Sequence, residues 1–92
     1  MQLDGYKIRE QSKPHFITLT VVDWIDIFTR KIYKDTIIDN LNYCIQNKSM
    51  VFYGYVIMSN HVHMILQSDN NDLSGLIRDF KKHTAKKIIQ QI

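Results

Sequence analysis

Runs of apolar residues between polar segments predict three β-strands. Residues 15–22 (HFITLTVV) are rich in β-branched and aromatic types and carry no charge, which is typical of a buried strand. Residues 50–58 (MVFYGYVIM) and 61–67 (HVHMILQ) have the same character, and the dipeptide SN at 59–60 suits a tight reversal. The last two strands are therefore predicted to form a hairpin.

Two other segments show the helical period. The first predicted helix spans residues 30–47, with Thr29 as its N-cap. The second spans residues 73–90, with Asp72 as its N-cap. The predicted apolar stripes are Ile37, Ile38, Leu41, Cys44 and Ile45 on the first helix, and Leu73, Ile77, Phe80, Thr84 and Ile88 on the second.

The resulting order, β-α-β-β-α, predicts an α+β fold. It matches five of the six elements of the ferredoxin-like pattern, βαβ-βα(β), an antiparallel sheet with two helices on one face. With 92 residues, the sequence is expected to be a single domain, 1–92. The missing element is a strand after the second helix, so the domain is expected to be truncated.

Cysteine usage and hydropathy restrict the setting of the protein. Cys44 is the single cysteine, so no intrachain disulfide forms, and a reducing, cytoplasmic location is expected. The N-terminal residues are too polar for a signal peptide. Residues 49–68 contain no charged side chain and have the length of a membrane span, but six glycine and polar positions interrupt them. Two strands are the better interpretation, and no membrane association is expected.

The positive charge is concentrated at the end of the chain. Residues 1–72 hold seven Lys or Arg and eight Asp or Glu, a net −1, whereas residues 73–92 hold five and one, a net +4. Such localised charge points to a polyanionic partner, although Lys-rich helix faces are often simply solvated. At about 100° per residue, the basic stripe on the second helix is turned roughly 140° from its apolar face. The candidate DNA-binding residues are Arg78, Lys82 and Lys86 on the stripe, with Lys81 and Lys87 beside it.

The candidate chemistry lies in the third strand. His61 and His63 are two positions apart, so their side chains share one face, with α-carbons about 6.5–7 Å apart. Residues 62, 64 and 66 point to the other face, towards the expected core. The pair is either two half-exposed polar residues or a chelating pair for one metal ion. Two ligands are too few for structural zinc, but they suit a catalytic cation that also binds phosphate and water.

The segment YVIMSNHVHMIL (55–66) resembles the His-hydrophobic-His signature of the HUH single-strand nucleases. More narrowly, it is similar to the small tyrosine transposases, including the bacterial REP-associated ones. HFITLTVVDWIDIFTRK (15–31) resembles their first strand and its exit, and LSGLIRDFKKHTAKKI (73–88) their second helix. The resemblance covers roughly residues 6–92.

The resemblance implies a mechanism and a set of partners. His61 and His63 match the catalytic, metal-binding histidines, and Asn60 matches the residue before them. The implied cofactor is Mg2+ or Mn2+, which polarises a phosphate of single-stranded DNA while a tyrosine attacks to form a 5′-phosphotyrosine. The implied partners are single-stranded or hairpin DNA and a second copy of the chain in a homodimer.

The sequence departs from the family at the nucleophile. In the family the attacking tyrosine lies on a further helix beyond a fourth strand, and no such segment is present here. None of the five tyrosines matches that position, and Tyr53 and Tyr55 are expected to share one strand face as packing residues. Cleavage by this chain alone is therefore expected to be weak or absent.

Several residues are assigned to packing or to the surface. Cys44 is expected in the core, Trp24 as an apolar anchor, His15 as a structural residue and His83 on a helix flank. Two alternatives to a transposase remain open. One is a non-catalytic nucleic-acid-binding module of the same fold, and the other is a small metal-dependent enzyme of another class.

Overall fold

The computed structural model describes residues 2–3, 8–21 and 26–91. Tyr6, Trp24 and the end of the first predicted strand at residue 22 lie outside this part of the chain. The elements are the strands β1 (Gln2–Leu3), β2 (His15–Thr20), β3 (Met50–Ile57) and β4 (His61–Ser68), the helices α1 (Lys31–Asn47) and α2 (Leu73–Gln91), and a 3-10 turn (Ile27–Thr29).

The strands form one antiparallel sheet in the order β1-β2-β4-β3. Strands β3 and β4 pair as the predicted hairpin, and the Met58 N–H donates to the His61 carbonyl at 2.8 Å across the reversal. Strand β4 lies between β2 and β3, so its residues are supported on both sides. The α+β class is confirmed, and the finer ferredoxin-like assignment stays a prediction.

Both helices pack against the same face of the sheet. On β4, Val62, Met64 and Leu66 are at most 1% exposed, because they point into this layer. All five apolar-stripe residues predicted on α2 are buried, and the four hydrophobic ones belong to the same core cluster as the strand residues. The helices are tied to each other by Asn40, whose amide donates to the Phe80 carbonyl at 3.1 Å and to Thr84 Oγ1 at 2.6 Å. The opposite face of the sheet carries no helix in the described part of the chain.

The predicted cap of α2 is confirmed, and that of α1 is wrong. Asp72 Oδ1 accepts from the Gly75 N–H at 3.1 Å, and a Cβ at Gly75 would overlap the Asp72 carboxylate. Thr29 ends the 3-10 turn instead of capping α1, since its hydroxyl donates back to the Asp26 carbonyl at 3.0 Å. Arg30 precedes α1 and makes no side-chain cap.

The apolar stripe on α1 is narrower than predicted. Ile37, Leu41 and Cys44 are buried, whereas Ile38 is half-buried and Ile45 is exposed. Eight residues advance a helix by about 80° beyond two full turns, so Ile45 falls at the edge of the stripe that Ile37 begins.

Strand β3 contains an irregularity that the sequence pattern did not indicate. Its register against β4 shifts between Phe52 and Gly54, which leaves Tyr53 as an extra residue. The Tyr53 hydroxyl donates to Gln67 Oε1 at 2.7 Å on the open face, while Tyr55 pairs with Met64 and faces the helix layer. The prediction that Tyr53 and Tyr55 share one face is therefore wrong.

The uncharged segment 49–68 forms β3, the reversal and β4, as predicted. Among the helices of the described ranges, none combines the length and the apolar character that crossing a membrane requires.

Candidate metal and DNA site

His61 and His63 lie on the face of β4 that the helices leave open. Both side chains are half-buried, and their ring centroids are 4.7 Å apart with the rings at 80° to each other. The strand alternation places them there, because the residues between and after them fill the core. The structure thus brings the two predicted ligands together.

Each histidine ring is held through its Nδ1 atom. His61 Nδ1 lies 2.7 Å from Asn60 Oδ1, within the reversal, and His63 Nδ1 lies 3.0 Å from Thr18 Oγ1 on β2. When Nδ1 carries the proton donated to these oxygens, Nε2 keeps its lone pair. A hydrogen bond of this kind fixes the tautomer and the orientation of a metal-binding imidazole.

The donor set fits a cation that is only partly held by protein. In the described residues, no group of three or more His, Cys, Asp or Glu side chains comes together in a metal-binding arrangement. Two imidazoles leave coordination positions for water and for phosphate oxygens, as a catalytic cation requires. The same set does not fit structural zinc, which takes four protein ligands.

Thr18 is a site residue that sequence reasoning missed. It pairs directly with His63 across β2 and β4, although the two residues are 45 positions apart in the chain. The alternation HFITLT places Thr18 on the polar face of its strand, which was a usable signal. The cross-strand register that aligns it with His63 was not readable from the pattern. Asn60, interpreted from the sequence as a turn residue and matched to the family residue before the pair, makes a similar contact to His61.

The basic stripe lies on the other side of the molecule from the histidines. Arg78, Lys82, Lys86 and Lys87 are exposed and Lys81 is half-buried. Because α2 buries its apolar face against the sheet, this stripe faces away from the sheet. Arg78 Nε is 3.3 Å from Asp79 Oδ1, and this exposed ion pair reduces the local positive charge. The stripe and the histidine pair are therefore separate surfaces with the helix layer between them.

The remaining histidines and the cysteine are separate from the pair. His83 stacks on Tyr43 across the two helices, with centroids 6.2 Å apart, and His15 Nδ1 lies 2.7 Å from the Lys13 carbonyl. Cys44 is buried in the helix layer, as predicted, and burial raises the pKa of its thiol. None of these residues supplies a further ligand to the pair.

The contacts of the four tyrosines within the described ranges are with residues other than the two histidines. Tyr33 is buried in the core, and Tyr43 lies on the helix layer against His83. Tyr53 donates to Gln67, and Tyr55 contacts Phe52 on the helix-facing side of β3. Within the described ranges, none of the four has a hydrogen bond or ring contact to His61 or His63.

Comparison with known proteins identifies the family. A family model described as "Transposase IS200 like" matches residues 9–92, nearly the whole chain. Comparisons with curated proteins and with solved structures gave no match. The matched range includes β2, the histidine pair and the basic helix, which confirms the resemblance to tyrosine transposases. The chain therefore belongs to the IS200-like transposase family and is a transposase domain with DNA as its partner.

Proposed function

We propose that this chain binds single-stranded DNA and a divalent cation in the cleavage and strand-transfer steps of DNA transposition. The observation that carries the proposal is the paired arrangement of His61 and His63 on one strand face, with an oxygen atom within hydrogen-bond distance of each Nδ1 atom. In the tautomer that carries the proton on Nδ1, each Nε2 lone pair is available to a metal ion. Two such donors beside an open sheet face suit a metal ion that is shared with a phosphate group. The family supports DNA as the substrate.

In this proposal His61 and His63 hold the cation, and Asn60 and Thr18 keep their rings in the binding tautomer. The cation, Mg2+ or Mn2+, supplies Lewis-acid polarisation of the scissile phosphate.

In the proposal the nucleophile is the tyrosine that the family carries on a further helix, and none of the described Tyr33, Tyr43, Tyr53 and Tyr55 takes its place, since those four have other contacts. Attack by its hydroxyl oxygen on phosphorus forms the 5′-phosphotyrosine bond and breaks the bond to the 3′-oxygen. The phenolic proton passes to water, and the leaving 3′-oxygen takes a proton from water to become a hydroxyl group.

The basic stripe contacts a second segment of the same DNA in our proposal. Its position on the far side of the helix layer suits a hairpin or another folded part of the strand. The proposal also includes a homodimer, because β3 lies at an edge of the sheet and exposes Tyr53, Tyr55 and Val56 there. A bacterial cytoplasm, with its reducing conditions, suits the free Cys44 thiol.

The test is a manganese titration followed by NMR of the histidine side chains. Paramagnetic Mn2+ is expected to broaden the His61 and His63 ring signals together, while His15 and His83 serve as internal controls. His63→Ala is expected to abolish the broadening at His61 as well, since one imidazole alone holds the ion weakly. Fluorescence anisotropy with a labelled single strand then measures DNA binding with and without Mn2+.

Uniform broadening of all four histidines, or none at the pair, would refute the metal site. If single-stranded DNA still bound in that case, the chain would be a non-catalytic nucleic-acid-binding module of this family. The exposed basic stripe favours that second candidate, because it does not depend on the histidines.

A further inference from the structure

A shallow apolar depression adjoins His63 on the open face of the sheet. Its volume is about 160 Å³, and the residues that line it from three strands carry no Lys, Arg, Asp or Glu. Phe16, Val56 and Ile65 are 51%, 57% and 43% exposed, although residues of these types are usually buried. The depression therefore presents an apolar surface directly beside the candidate metal site.

Strand pairing assembles this surface. Phe16 on β2 lies opposite Ile65 on β4, and Val56 on β3 lies opposite His63 on β4. A Cβ atom added at Gly54, opposite Ile65, would meet no atom within 4 Å, so the space above this backbone is open. The absence of a side chain at Gly54 thus leaves room for a ligand above the strand.

Aromatic stacking gives the depression a flat wall. The Phe16 and His63 rings are stacked, with centroids 5.3 Å apart and an interplanar angle of 28°. The same His63 ring is held by Thr18 through Nδ1. Pockets for whole small-molecule ligands are usually about 300–1,000 Å³, so this smaller space suits one planar ring.

We propose that the depression lined by Phe16, Val56, Ile65 and His63 stacks one unpaired nucleobase of the DNA strand, next to the phosphate at the histidine pair. The inference rests on the proposed function, because that function places the strand over His63. The family supplies the DNA partner, and the aromatic wall suits a base better than the charged backbone. Stacking accepts every base, so the site fixes the position of the strand without reading its sequence.

The test uses short single-stranded oligonucleotides with 2-aminopurine at successive positions, a base whose fluorescence is quenched by stacking. Binding to the wild-type chain is expected to quench one position, both in EDTA and in Mn2+. Phe16→Ala and Phe16→Leu should abolish that quenching and weaken binding by about 5- to 150-fold, the usual range for one stacked base. An abasic site at the quenched position should weaken wild-type binding by a similar factor.

Ile32→Ala is the matched control, since Ile32 is also exposed but lies on α1, and it should change neither the quenching nor the affinity. Phe16→Leu keeps the apolar bulk, and circular dichroism of both Phe16 variants checks that they fold. If DNA bound to the wild-type chain without position-specific quenching, or Phe16→Ala left the quenching unchanged, the stacking site would be refuted.

Two further outcomes also refute the stacking site. If Phe16→Ala turned a dimer into a monomer in sedimentation while leaving the quenching intact, the patch would be an interface between copies. If Mn2+ broadened the histidine pair but quenching were absent, the stacking site would fail while the proposed function stood. Failure of the proposed function gives a different result. In that case Mn2+ does not broaden the His61 and His63 NMR signals, whether or not 2-aminopurine fluorescence is quenched.

Discussion

The two faces of β4 differ in burial and in polarity. Val62, Met64 and Leu66 are at most 1% exposed and contact the helix layer, whereas His61, His63 and Ile65 alternate with them on the open side. The first face consists of these three apolar residues, which belong to the hydrophobic core. The other combines two imidazoles with exposed apolar residues. A single strand thus contributes to stability and to the candidate site through alternate residues.

This division means that a site can be built on a strand that is paired on both sides without using its core residues. Strand β4 is paired on both sides, so the histidine backbone is fixed by hydrogen bonds to β2 and β3. Sites on such rigid elements hold their ligand geometry better than sites on loops. Mutations on the two faces should therefore separate folding from binding.

The largest expected effect comes from the core face. Met64→Ala should lower the free energy of unfolding by about 2–5 kcal/mol, because it removes a buried side chain and leaves a cavity. Ile65→Ala, the adjacent residue on the open face, should lower it by less than about 1 kcal/mol, as for a partly exposed side chain. Urea unfolding followed by circular dichroism measures both. Equal decreases for the two variants would contradict the division of the strand.

The next effect concerns the support of the metal site. Thr18→Val keeps the shape of the side chain but removes the hydroxyl group at 3.0 Å from His63 Nδ1. It should weaken Mn2+ binding by about 10- to 100-fold, as expected for a group that orients a ligand. Thr29→Val, which removes a hydroxyl that does not contact the pair, is the control. Unchanged Mn2+ affinity in Thr18→Val would show that the contact does not orient His63.

A smaller effect is expected from the basic stripe on the far side of the helix layer. Replacing Lys82 and Lys86 by Gln should reduce the slope of log affinity against log salt by about 0.7 for each phosphate that is no longer neutralised, the value for single strands. Anisotropy titrations at several salt concentrations measure this slope. Mn2+ binding at the histidines should not change, since the two regions lie on opposite sides. A reduced Mn2+ affinity would contradict their independence.

The smallest effect is the pH dependence of Cys44 in the helix layer. Burial raises the pKa of this thiol above the ordinary value of 9.0, so the folded protein binds its proton more tightly than the unfolded chain does. The contribution to stability is complete below the unfolded pKa and is lost as the pH rises through the folded one. Alkylation by iodoacetamide at a pH of about 8 should be much slower than in urea, because the buried thiol ionises less readily. Equal rates would show that the thiol is accessible.

Much of the fold was predictable because its signals are local. The helical stripe of α2, its Asp72 cap and the β3–β4 hairpin depend on residues that are close in sequence. The errors arose where a neighbouring element intervened. Thr29 belongs to the 3-10 turn and therefore does not cap α1. The extra residue Tyr53 shifts the register of β3, so Tyr55 lies on the face opposite to Tyr53.

The sequence by itself determined that His61 and His63 share one strand face and that the excess positive charge lies on α2. Both follow from the fixed periods of strand and helix, which need no knowledge of the rest of the chain. Only the tertiary structure decided that Thr18 supports His63, that Phe16 stacks on it, and that the basic stripe faces away from the pair. These relations depend on pairing and packing between residues far apart in sequence. The side-chain period of a strand does not reveal which residues of a neighbouring strand it pairs with.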